Sequence, residues 1–160
     1  MKAAVITENG LEIQDVAQPE PGAGEVLVRV KAAGLNRADL MALHGARGFA
    51  AGGVGGREFS GEIAALGDGV TGLSVGDRVM CTGNGAYAEY AVTVPARAWK
   101  VPGNNMSLEQ AATLPVSLQT MHNAIVTAGR MEKSDAVLIQ GASSGAVSYT
   151  HLTLPTICSV

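Results

Sequence analysis

Two cysteines, Cys81 and Cys158, are all that the 160 residues contain. They are too few for a disulfide framework or a four-thiolate metal site, and they point to a reduced, cytoplasmic setting. Aromatic residues are scarce at 4%, and the 11 Lys and Arg residues form no run. With a net charge of −3 the chain offers no basic stripe of the kind nucleic acid requires. No apolar segment approaches the ~20 residues that span a bilayer, so no membrane partner is expected. The apolar start Met1–Ile6 ends at Thr7-Glu8-Asn9-Gly10, too early for a secretory signal.

Glycine, by contrast, is plentiful at 21 residues, in a chain that is 47% hydrophobic. That balance suits a turn-rich β domain. Lys2–Ile6 and Leu11–Asp15 flank Glu8-Asn9-Gly10, a hairpin pattern with Asn-Gly at its turn. After the break at Pro19–Gly22, the run Glu25–Ala33 alternates. Val26, Val28 and Val30 share one face, and Leu27, Arg29 and Lys31 the other. Further strand runs are Glu58–Leu66, Asp77–Cys81, Ala88–Val94 and Trp99–Val101. Many short strands with frequent turns predict a barrel or sandwich. One helix, Arg37–His44, interrupts them, with Asn36 as its N-cap and Gly45 closing it.

The pattern changes after Pro102. Ser107 and Gln110 are spaced as a capping box, and a second helix is expected from Pro115 to Ala128, ending at Gly129. Ala136–Gln140 then reads as a short apolar strand, followed at once by Gly141-Ala142-Ser143-Ser144-Gly145. Helix, strand and glycine turn in that order open a doubly wound nucleotide domain. Small residues in such a turn let the backbone approach a pyrophosphate, and amides at a helix start face its charge. Alone, a glycine-serine turn is a weak signal. The expected boundary lies near residues 110–130.

Gly34-Leu35-Asn36-Arg37-Ala38-Asp39-Leu40, Gly56–Ile63 and Gly76-Asp77-Arg78-Val79 stand in an order that resembles the medium-chain dehydrogenase/reductase superfamily. Gly85–Tyr90 and Ala111-Ala112-Thr113-Leu114-Pro115 continue the match, which covers roughly residues 1–145. A β domain ahead of the glycine turn excludes the short-chain dehydrogenase layout. The resemblance implies a mainly β fold with some helix. A GroES-like β-barrel catalytic domain (residues 1–110) would be followed by the first helix, strand and turn of a truncated Rossmann NADP-binding domain (111–146).

Zinc-dependent members place Cys where Asn36 stands and His where Arg57 stands, and neither residue here is a useful zinc ligand. The cysteine-rich lobe that holds structural zinc is missing too. No metal is therefore expected, and the resemblance narrows to the quinone oxidoreductase branch, which passes hydride from NADPH to a quinone or enone. In that branch the Asn of Asn-x-x-Asp lies beside the nicotinamide. The cofactor-binding set carried over is Asn36, Thr120, Ala142, Ser143, Ser144 and Gly145, with no catalytic side chain assigned. The complete protein would be a homodimer. A 2-alkenal or enoyl reductase of the same superfamily shares these motifs, and a non-enzymatic GroES-like binding protein is the reading of another class.

Other residues receive structural readings. Gly45–Gly56 lacks the Lys-Ser/Thr ending of a P-loop and is expected as a loop at the cleft mouth. Cys81 reads as a small core residue, Tyr87 and Tyr90 as cross-strand packing, and Asp39 as a favourable charge at a helix start. His44 and His122 receive no role. After Gly145 the family pattern calls for Val-Gly and a long amphipathic helix, but the chain reads Ala146-Val147-Ser148 and reaches Pro155, a helix breaker. Residues 147–160 resemble a translated sequencing adapter, so this tail is expected to be non-native, and His151 and Cys158 to carry no function.

Overall fold

A computed structural model of the chain describes residues 1–43, 52–103, 105–132, 134–138 and 144–148. The chain divides into two units, Met1–Pro115 and Val116–Val160. His44, the Gly45 cap, Gly141–Ser143 and the tail from Tyr149 onward lie outside the described residues.

The first unit begins with a hairpin, β1 (Lys2–Thr7) against β2 (Gly10–Asp15). Its two-residue loop is Glu8-Asn9, not Asn9-Gly10, because Gly10 pairs with Thr7. Gly10 still carries the positive φ of the turn, +114°, which a residue with a Cβ would resist. The main sheet runs in the order β6-β3-β4-β5-β7, every neighbour antiparallel. Its strands are β3 (Val26–Gly34), β4 (Glu58–Leu66), β5 (Arg78–Thr82), β6 (Tyr90–Thr93) and β7 (Ala98–Lys100). Isolated bridges from Ala3 to Ala88 and from Val5 to Val54 tie the hairpin to the segments preceding β6 and β4.

The core gathers Val26, Val28, Phe59, Ile63, Val79, Cys81 and Ala91. Alternation holds for Val26 and Val28, but Leu27 is buried as well. The β3–β4 register shifts directly after Leu27 and again between Val30 and Ala32. Such bulges bend a strand and re-aim its side chains. At Gly61 the two strands come so close that a Cβ would overlap the Arg29 carbonyl. Outside the core, Arg29 and Glu62, register partners, form an ion pair at 2.7 Å between exposed side chains, and surface pairs of this kind contribute little.

A short helix, α2 (Leu108–Ala111), lies against β3, β4 and β5. Its capping box forms as the spacing requires. Gln110 N–H donates to Ser107 Oγ at 3.1 Å, and Ser107 N–H donates to Gln110 Oε1 at 2.9 Å. Buried Ser60 donates to the Leu108 carbonyl, and Arg78 donates to the Met106 carbonyl at 2.6 Å, so the sheet holds the segment leading into α2.

In the second unit, α3 (Pro115–His122, whose first residue closes the first unit) continues as a π-helical turn over Asn123–Ala128 and ends at Gly129. The expected single α-helix therefore widens at Asn123. Gly129 keeps a right-handed conformation, and the left-handed φ falls on Arg130 instead, at +49°. The expected strand Ala136–Gln140 does not form over its described part, Ala136–Leu138. Leu138 is 86% exposed. A parallel strand is held by hydrogen bonds from its neighbours, and none pairs with this segment among the described residues.

Gly61→Ala tests the close approach of β3 and β4. The added Cβ must push the strands apart, so stability should fall by about 2 kcal/mol, read from the urea midpoint. An unchanged midpoint would show that the ladder has slack there.

Candidate functional site

The candidate site forms where β3 ends and β4 begins. Gly34 and Glu58 are register partners, so Asn36, two residues past Gly34, is carried to the side of Glu58. α1 (Arg37–Leu43) starts immediately after it. Asn36 Nδ2 donates to Glu58 Oε1 at 2.9 Å, and Asn36 backbone N–H donates to Asp39 Oδ2 at 2.8 Å. Asn36 stands at the N-cap position as expected, but its side chain is turned to Glu58. The contact from side chain to backbone is supplied by Asp39, which reaches back from the first turn.

Tyr87 completes the cluster. Its hydroxyl donates to the same Asp39 Oδ2 at 2.7 Å, with the Gly34 carbonyl oxygen 3.3 Å away. The residue lies in the connection between β5 and β6, so it is not the cross-strand packing residue that the sequence suggested. Its ring lies against Gly55 and Gly56. A Cβ on Gly56, whose φ is +91°, would come within 2.6 Å of Tyr87 Cδ1. Tyr87 N–H also donates to the Gly55 carbonyl at 2.9 Å.

Two carboxylates are thus buried together, Glu58 at 4% exposure and Asp39 at 9%. Asp39 Oδ1 is buried with no hydrogen-bond partner among the described residues. Burial raises the Tyr87 phenol pKa well above its ordinary value, and the hydrogen bond and charge of Asp39 push the same way. Glu58 and Tyr87 were not among the expected site residues. The available signal for Glu58 was a charged residue opening a strand whose first positions are buried.

Residues 22–103 match the family model for the alcohol dehydrogenase GroES-like domain. The chain belongs to this family, within the medium-chain dehydrogenases/reductases. The synaptic vesicle membrane protein VAT-1 homolog-like of Mus musculus is 36% identical over 163 residues, covering 93% of this chain and 37% of the relative. A mycobacterial protein solved in complex with NADPH superposes with a TM-score of 0.82 at 32% identity, covering 95% of this chain and 50% of that one. A quinone oxidoreductase of Pseudomonas syringae gives a TM-score of 0.79 at 31% identity, covering 92% and 48%. The chain therefore spans about half the length of these solved relatives, and less of the mouse protein.

The expected cofactor residues of this GroES-like chain fall in both units. Asn36 belongs to the first, in the cluster just described. In the second, Thr120 is exposed on α3, and its hydroxyl donates to the Val116 carbonyl at 2.6 Å, one turn back. Ser144 is exposed, and Gly145 opens the four-residue α4 (Gly145–Ser148). Ala142 and Ser143 lie outside the described residues. Among the described residues, no three His, Cys, Asp or Glu side chains gather as metal ligands, and no helix is long and apolar enough to cross a membrane.

Cys81 is fully buried in the core as expected, and burial pushes its thiol up to about 12. An alkylating reagent at neutral pH should leave Cys81 unmodified until the protein unfolds, as peptide mass mapping would report. Labelling in the native state would contradict the core placement.

Tyr87 gives a pH signature. Its folded pKa lies above the unfolded value, so its contribution to stability is complete below about pH 10 and is lost as pH rises through the folded value. In an alkaline titration followed by phenolate absorbance, Tyr87 should ionise only as the fold is lost, and Tyr87→Phe should remove that late step. Ionisation of Tyr87 in the ordinary range would contradict the Asp39 contact.

Proposed function

We propose that this chain is the N-terminal part of an NADPH-dependent oxidoreductase that reduces a quinone or related electrophile without a metal. The observation that carries the reading is Asn36, the residue that the quinone oxidoreductase branch places beside the nicotinamide. It is held through both of its nitrogens at the end of β3. The NADPH complex and the quinone oxidoreductase among the structural relatives support cofactor and substrate class.

Bound NADPH would supply the hydride, and a quinone is electrophilic enough to accept it without a Lewis acid. What the protein contributes is positioning in a cleft from which water is excluded. Asn36 donates an N–H to Glu58, and an amide nitrogen used in this way is no zinc ligand, which supports metal independence. In this reading residues 1–110 form the catalytic domain, and 111–146 open the NADP-binding domain, with Thr120, Ala142, Ser143, Ser144 and Gly145 in the cofactor-binding set. The segment 147–160 is non-native, the working protein is a cytoplasmic homodimer, and its partners are small molecules, neither nucleic acid nor membrane. An adapter-independent DNA read across codon 145 tests the assignment of the tail.

The functional test uses the longest product that the source gene encodes, with loss of NADPH absorbance as the readout. Turnover with a para-quinone, absent with an α,β-unsaturated aldehyde and surviving exhaustive chelation, is the expected result. Turnover of the aldehyde alone would transfer the assignment to an alkenal or enoyl reductase. No turnover of either would favour a non-enzymatic binding protein.

A further inference from the structure

We propose that Glu58 is a positioning residue: it fixes the orientation of the Asn36 carboxamide, so that Oδ1 is the atom presented to a ligand. The ligand chemistry this selects is an N–H donor, such as the carboxamide at the nicotinamide end of the cofactor. The proposal rests on the reading of Asn36 given above and adds which atom is used and what sets it.

A carboxamide can rotate to offer either its oxygen or its nitrogen, and the two ends differ in chemistry while being almost equal in shape. In Asn36 that ambiguity is removed by accounting. The side-chain nitrogen donates to Glu58 Oε1 at 2.9 Å, and the backbone nitrogen donates to Asp39 Oδ2 at 2.8 Å. An ionised carboxylate accepts but cannot donate, so the reversed carboxamide would set oxygen against oxygen. Oδ1 is therefore the side-chain atom left for a ligand.

Glu58 is itself fixed. It is 4% exposed, and its carboxyl packs directly over Gly34, its register partner, where a Cβ would collide with it. A glycine at position 34 is thus a requirement of the Glu58 carboxyl, because any side chain there would evict it. Asp39, the second anchor, is held in turn by the Tyr87 hydroxyl at 2.7 Å.

Three variants separate this role from general packing. Glu58→Leu removes the acceptor, Gly34→Ala displaces it without touching its chemistry, and Glu58→Gln keeps an acceptor oxygen of the same reach. In the nitrogen-15-labelled chain without cofactor, the Asn36 side-chain NH2 protons should exchange slowly. That protection should be lost in Glu58→Leu and Gly34→Ala and retained in Glu58→Gln. In the longest gene product, KM for NADPH should rise roughly five- to tenfold in the first two variants, the effect of one misdirected hydrogen bond, and stay near wild type in Glu58→Gln. Near-UV circular dichroism confirms that each variant is folded.

Asn36 protection that persists in both Glu58→Leu and Gly34→Ala would overturn the proposal. So would lost protection with an unchanged KM. A wild-type product that oxidises no NADPH with any acceptor would sink the oxidoreductase reading by itself. The Asn36 amide pattern would still decide, independently, whether Glu58 sets the carboxamide.

Discussion

The arrangement of the first unit depends on burying two carboxylates beside each other. Removing a carboxylate from water is costly unless donors replace the hydration it loses. Here those donors include Asn36 Nδ2 for Glu58, with Asn36 N–H and Tyr87 OH for Asp39. The surrounding backbone follows from that requirement. Gly34 must lack a Cβ for Glu58 to lie flat against it, and Gly55 and Gly56 must lack one for the Tyr87 ring to reach Asp39. Three glycines that look like ordinary turn residues are consequences of two buried charges.

The sheet supplies the rigidity that such a cluster needs. β4 is its central strand, and at Gly61 its backbone lies close enough to β3 to exclude any side chain. The same pairing that packs Val28 and Phe59 into the core ends in the Gly34–Glu58 step. A site built at the end of a tightly paired ladder inherits its precision, because the backbone that carries its side chains moves only with the ladder.

Much of this fold was legible because its signals are local. The alternation in Glu25–Ala33, the Ser107–Gln110 spacing and the helix beginning after Asn36 each follow from dihedral preference or periodicity within one segment. The Asn9-Gly10 pair misled by one position, since a glycine of positive φ serves as well beside a two-residue loop as within it. The strand expected at 136–140 is absent over its described residues, 136–138, for a different reason. Its apolar composition records the sheet it suits, but strand structure exists only when neighbours donate and accept. The candidate cluster was legible in part. Asn36 and its partner Asp39 stand in one motif, whereas Glu58 and Tyr87 lie 22 and 51 positions beyond Asn36 in the chain. The strand register and the contact of Tyr87 with Gly55 and Gly56 bring them together.

The spacing of Asn36 and Asp39 also has a physical explanation that differs from ordinary helix capping. In a capping box, the side chain of the first residue is consumed by the backbone of the fourth. In α1 that duty is reversed. Asp39 N–H donates to the Asn36 main-chain carbonyl at 2.9 Å, and the Asp39 carboxylate accepts from Asn36 N–H. The start of the helix is therefore secured by the backbone of Asn36 and the side chain of Asp39, and the carboxamide of Asn36 is released from capping. A serine or threonine at position 36 would cap such a helix equally well by propensity, but its single hydroxyl oxygen would have to serve both Glu58 and a ligand. In the proposed role, asparagine supplies a donor for Glu58 and an acceptor for a ligand from a single rigid plane. On that proposal the residue type at the helix start is set by Glu58, across the strand pair, and not by the helix it precedes.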